Sequence, residues 1–161
     1  MSDQPAPFEL RESSAWDLEG LEAWLGEAVI PLRLGIAAAR APLIVPLWFR
    51  YEDGGFWCVT HRDAHVLEAV REQPSCAIDI STNDVPYRGV RGAGTVRVVP
   101  ERGPELIEFM VERYLGGSGS RLARWLLGRR DEEVGLRITP QWLTSWDFSA
   151  RMGDVERPAR T

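Results

Sequence analysis

Lysine is missing from this 161-residue chain, and all 19 of its basic residues are arginine. Against 24 acidic residues they leave a formal charge of −5, which argues against nucleic-acid or membrane-surface binding. The arginine-only set reads mainly as genome composition. Cysteine is scarce: Cys58 and Cys76 are the only two, with no CxxC spacing, and read as buried reduced thiols of a cytoplasmic protein. Histidine is equally scarce. His61 and His65 are the only pair, and Asp63 between them is poorly placed as a third ligand, so no metal is expected. No apolar run approaches the roughly 20 residues that span a bilayer. The opening MSDQPAPFELRESS has no apolar core of a secretory signal. No Ser-His-Asp arrangement, paired catalytic carboxylates, Walker loop or dinucleotide fingerprint stands out, so any chemistry is expected to be carried by a cofactor.

What is present fits one soluble domain, with 44% hydrophobic and 27% charged residues. We expect a flexible arm over 1–13, a folded domain over 14–150 and a flexible tail over 151–161. Ser14 and Asp17 resemble a capping box ahead of Leu18, Leu21, Trp24, Leu25 and Ala28, which recur at helical spacing. A strand follows over 30–38. Residues 43–51 and 56–60 read as a hairpin across Glu52-Asp53-Gly54-Gly55, whose Asp and Gly tolerate left-handed backbone. A helix over 64–72, capped by Asp63, buries Val66, Leu67 and Val70 and stops before Pro74.

Strands over 76–80 and 87–99 come next. In the second, Val90, Gly92, Gly94, Val96 and Val98 share a face, and the two glycines there mark either a bend or a close approach by another backbone or a ligand. A helix over 104–114 with the stripe Leu106, Phe109, Met110 and Tyr114 is followed by a glycine-serine turn. A further helix carries Leu122, Trp125 and Leu126 on one side. The last element reads as a hairpin, 134–138 and 142–147, turning at Thr139-Pro140-Gln141. About six or seven strands with short connections favour a small antiparallel barrel with helices outside, an α+β fold.

The pieces PLIVPLWFRYEDGGFWCVT, HRD, SCAIDI, PYRGVRGAGTVRVV and RITPQWLTSWDF together resemble the pyridoxamine 5′-phosphate oxidase-like flavoproteins, the FMN-binding split barrels. The resemblance covers about residues 32–148. It implies a six-stranded antiparallel split β-barrel and a homodimer with FMN at the seam, each site built from both chains. It also implies an oxidoreductase that moves hydride between a nicotinamide or other donor and a small-molecule substrate. Carried over, Pro46, Leu47 and Trp48 line the flavin ring, while Thr60, His61, Arg62 and His65 surround its phosphate, helped by Arg88. An arginine fork suits a phosphate.

The chain also departs from the pattern. Val66 stands where many relatives have a basic residue, Asp63 is set to take the helix amides itself, and TSWDFSARM lacks the Arg-x-His pair of the vitamin-pathway oxidase. Two rivals therefore stay open: a deazaflavin in place of FMN, and a flavin-binding protein without turnover.

Each candidate has a plainer reading. His61, Arg62 and His65 read equally as surface residues, and Trp48, Trp57, Trp142 and Trp146 as barrel wall or dimer seam. Tyr87 and Arg88 are candidates for the rim. Asp131, Glu132 and Glu133 read as a solvated acidic face.

Overall fold

Residues 42–52 form both outer edges of a single sheet. In the computed structural model, which describes residues 7–156, this segment is two strands, β3 (Pro42–Leu47) and β4 (Phe49–Glu52), broken at Trp48. Strand β3 pairs antiparallel with β2 (Leu32–Ala37), and β4 pairs with β5 (Gly55–His61). The sheet runs β3-β2-β6-β7-β8-β5-β4, where β6 is Ser75–Ser81, β7 is Arg88–Val99 and β8 is Glu133–Asp147. Its two ends are thus neighbours in the chain, and only a sheet curled into a barrel can bring them together. A two-residue strand β1 (Glu9–Leu10) lies parallel to β8 at Trp142 and Leu143, within the stretch expected to be a loose arm. The sheet has eight strands. Taking β3 and β4 as one bent strand and setting β1 aside leaves the six of a split barrel. Residues 1–6 and 157–161, parts of the expected arm and tail, lie outside the described residues.

Three sequence expectations are corrected. The strand over 43–51 is interrupted at Trp48, because its halves pair with different neighbours. The final hairpin is one continuous strand: β8 pairs with β7 from Gly135 to Asp147, with a bulge where Gly94 faces Pro140 and Ala93 faces Trp142, leaving Gln141 as the extra residue. The ladder is disrupted at a bulge, which is where a strand tolerates proline. The helix caps also differ. Asp17, not Ser14, caps α1 (Leu18–Glu27) by accepting from Gly20 N–H, while Ser14 bonds Ser145 on β8 at 2.7 Å. Helix α2 (Val66–Glu72) has His65 at its N-cap and no side-chain cap, so Asp63 does not hold its amides.

The two glycines of β7 mark a close approach. A Cβ on Gly92 would strike the Trp142 carbonyl, and one on Gly94 the Thr139 carbonyl, both on β8. The tip of the β4–β5 hairpin is as expected, with Asp53 and Gly54 at φ 48° and 69°.

Strand β5 is buried on both faces, which its unbroken apolar run FWCV anticipates. Phe56 and Cys58 join the barrel interior with Phe49, Leu34, Ile80, Val90, Leu136 and Ile138. Trp57 and Val59 face outward under α3 (Gly103–Leu115) and α4 (Arg121–Gly128), forming a second core with Leu106, Ile107, Met110 and Leu126. Of the three apolar residues on one side of α4, Leu126 is buried while Leu122 and Trp125 are 48% and 55% exposed.

Tyr114 from α3 secures the break at Trp48. Its hydroxyl accepts from Phe49 N–H at 3.1 Å, its proton is within reach of the Phe49 and Ile30 carbonyls, and its ring stacks on Trp48 at 5.0 Å. Arg113, one residue earlier, donates to the Gly26 and Ala28 carbonyls at the C-terminal end of α1, both at 2.8 Å. Tyr114→Phe strands the Phe49 N–H beside the core and should cost about 1–3 kcal/mol in denaturant unfolding. A cost near zero would remove the hydroxyl from any closing role.

Candidate functional site

Where the curled sheet closes, its inner and outer layers leave a cleft of about 370 Å³. Pro46 and Leu47 at the end of β3 and Trp48 at the break form one wall, and Val59, Thr60 and His61 at the end of β5 form another. Helices α3 and α4 close it with Ile107, Leu122 and Leu126. Arg129 and Glu133 make its polar end. The space is mainly apolar and open to solvent on one side, which suits a flat ring with one polar edge.

Five of the eight residues expected to surround a cofactor line this one cleft: Pro46, Leu47, Trp48, Thr60 and His61. The other three do not. Arg62 lies just beyond it, its side chain 58% exposed and 3.5 Å from the Glu132 carboxylate. His65 is exposed at the start of α2. Arg88 faces Asp147 at the other end of β7 from Val99, the end that adjoins the cleft. The two ends of that strand are about 35 Å apart, so Arg88 cannot serve the cleft of its own chain. It neighbours a second hollow of about 340 Å³ whose lining includes Arg91, Ser145, Trp146 and Phe148.

The two remaining tryptophan candidates are accounted for by packing. Trp57 lies outside the cleft, with Arg102 and Arg137 over its ring at 4.3 and 5.1 Å. Arg11 covers Trp142 at 4.8 Å.

Of the acidic run at 131–133, Asp131 is exposed as expected, Glu132 is half-exposed and Glu133 is buried. Register pairs His61 with Glu133, which sets Glu132 beside Arg62. Glu132 is bonded by His61 Nε2 at 3.2 Å, and its backbone carbonyl accepts from Arg62 N–H at 2.8 Å. His61 Nδ1 accepts from Asp63 N–H at 3.1 Å, so the neutral ring carries its proton on Nε2, toward Glu132. Glu133 is only 4% exposed and meets Arg129 at 3.1 Å, while Arg129 lies over the Trp125 ring at 3.7 Å. Burial pushes the Glu133 carboxyl above its ordinary range, partly offset by Arg129 and His61.

The sequence hid these partners because Ile107, Leu126, Arg129 and Glu133 lie far along the chain from Trp48. A buried glutamate within an acidic run has no distinguishing spacing.

Neither cysteine is a nucleophile. Cys58 is fully buried with its thiol pKa pushed up, and burial raises that of Cys76 to about 11. Among the described residues no group of three or more His, Cys, Asp or Glu is placed to hold a metal ion, and no helix is long and apolar enough to cross a membrane.

With this architecture the chain has the pyridoxamine 5′-phosphate oxidase-like split-barrel fold. Three solved structures illustrate the likeness. The conserved hypothetical protein Rv2991 from Mycobacterium tuberculosis superposes with a TM-score of 0.72 at 19% identity, over 95% of this chain and 98% of that one. An F420 reductase gives 0.65 at 18% identity, over 80% of this chain and 98% of that one. A Clostridium acetobutylicum protein related to general stress protein 26, of the pyridoxinephosphate oxidase family, gives 0.59 at 14% identity, over 89% and 94%. No protein-family model and no curated protein sequence matches the chain.

The raised carboxyl of Glu133 has a definite pH signature. A carboxyl with a raised folded pKa disfavours the folded state once both states are ionised, and that penalty disappears when pH falls below the unfolded value of about 4.3. Glu133→Gln should therefore melt at or above the wild-type temperature at pH 7, with the difference shrinking toward pH 4. A large loss of Tm at neutral pH would mean that the pair with Arg129 outweighs burial.

Proposed function

We propose that the chain is a split-barrel oxidoreductase that holds a flavin-class ring in the cleft at Trp48. The observation that carries this reading is that Pro46, Leu47, Trp48, Thr60 and His61, drawn from two separate strands, line one cavity. The residues fit a ring. Pro46, Leu47 and Val59 offer an apolar wall, and Ile107 and Leu126 exclude water behind it. Trp48 is held flat by Tyr114, with 9° between the two rings. Backbone groups at the ends of β3 and β5 are at hand for the polar edge of the ring. When bound, such a cofactor accepts or donates hydride at its own ring, and the chain's part is to position it and its substrate.

FMN is the first candidate. A deazaflavin is the second, favoured by the pairing of Arg62 with Glu132, which weakens the phosphate end. The F420 reductase of the same fold keeps that reading in view.

We also propose that two copies associate. Ile44, 69% exposed on β3, stands on the outer face with Gly35 and Ala77 beside two shallow hollows, an apolar strip that continues along β3 to Pro46 in the cleft. A partner seated there would adjoin the cleft, and it is from a partner that Arg88 would act.

The visible spectrum of the purified protein, titrated with FMN and with a deazaflavin, tests the cofactor. A perturbed spectrum, bleached by NAD(P)H and restored by an acceptor, is expected. A protein that leaves both spectra unchanged overturns the reading, and binding without turnover makes it a carrier. Leu122→Glu sets a charge on the apolar wall at an exposed position, costing about 1–3 kcal/mol of ring affinity, or roughly 5- to 150-fold in Kd. Light scattering should give a dimer for the wild type and a monomer for Ile44→Arg; equal masses for both would remove that face from the contact.

A further inference from the structure

The geometry points to Glu132 as the residue that decides what tail the bound ring can carry: its carboxylate fills the anion position at the strand–helix junction, so the cleft takes ring-held ligands whose phosphate is not gripped there. This rests on the flavin reading of the cleft and narrows it. Four of the donors at the junction already face a partner. His61 Nε2 is on Glu132 Oε2 at 3.2 Å, and Arg62 Nη2 is 3.5 Å from Oε1. Arg62 N–H is on the Glu132 carbonyl, and Asp63 N–H is on His61 Nδ1. The other arginine at the cleft, Arg129, faces Glu133.

Charge acts in the same direction. A phosphate brought within reach of Arg62 would stand within a few ångströms of the carboxylate that Arg62 already meets, with Asp63 and Glu133 close by, so the new attraction is offset by like-charge repulsion. Register sets the Glu132 backbone at this place. His61 pairs with Glu133 on β8, and the residue before Glu133 has nowhere to lie but beside Arg62. Affinity then comes chiefly from the ring, and Arg62 and His61 give the tail little anionic anchorage at this junction.

Glu132→Gln is the test, a substitution at a half-exposed position whose retained fold a matching Tm verifies. FMN and riboflavin share the ring and differ by the phosphate. The wild type should bind both with Kd values within about threefold, and Glu132→Gln should bind FMN about tenfold tighter with riboflavin unchanged. Wild-type FMN binding about a hundredfold tighter than riboflavin, or an unchanged ratio in the variant, overturns the proposal.

A second arm uses inorganic phosphate alone, followed by NMR at the His61 imidazole and the Arg62 amide. Saturable shifts in Glu132→Gln but not in the wild type support the proposal; equal responses in both, or none in either, overturn it. If no flavin binds either protein, the flavin reading fails while the phosphate arm still decides the role of Glu132.

Discussion

Closure of the sheet through one peptide segment is the constraint on which the rest of this molecule depends. Leu47 ends a strand on β2 and Phe49 begins one on β5, so Trp48 sits where the two edges of the sheet meet. Three things follow from that position. The barrel interior gains Phe49, which is fully buried beside Phe56 with ring centroids 5.9 Å apart. The break frees backbone groups that need partners, and Tyr114 supplies one hydroxyl that serves both the N–H and the carbonyl of Phe49. Trp48, unable to point into the filled interior, stands out toward α3 and α4, and the space beside it is the cleft.

Arginine does the polar work around this frame in ways lysine could not. Its planar cation stacks on aromatic faces while its N–H groups bond carboxylates or carbonyls. Arg102 and Arg137 cover Trp57, and Arg137 also bonds the Glu52 and Asp53 carbonyls at the hairpin tip. Arg50 lies over Phe109 and meets Glu52 and Glu105. Arg129 joins Trp125 on an exposed helix face to the buried Glu133. These contacts tie α3, α4 and the turn before β8 to the barrel wall, and they leave few cations uncommitted at the cleft.

Much of the barrel was legible because strands with one buried face alternate and those with two do not. Residues 90–98 carry their buried side chains at every second position, and the FWCV run of β5 has none to spare for solvent. The two chief misreadings share a cause: local signals cannot report a partner. Nothing in VPLWFR marks a change of neighbour at Trp48, because both halves are apolar and extended. Thr139-Pro140-Gln141 has the chemistry of a turn, yet pairing with β7 on both sides carries the strand through it as a bulge. At the cleft, the lining by Pro46–Trp48 and Thr60–His61 was readable since they come from one contiguous stretch of chain. Glu132 and Glu133 were not, because only the pairing of β5 with β8 turns an acidic run into one buried carboxylate and one bonded to His61.

The two ends of the cleft therefore differ in how firmly they are held. The wall at Trp48 adjoins the residues that close the barrel, among them the fully buried Phe49, where the loss of a large side chain costs about 2–5 kcal/mol. The junction end is made of half-exposed ion pairs, each contributing about 0–1 kcal/mol. Its charge pattern can thus be rearranged with little consequence for the fold, while the slot cannot. In a molecule built this way the shape of the slot is tied to the closing of the barrel, whereas the sign of the charge beside Arg62 is nearly independent of it.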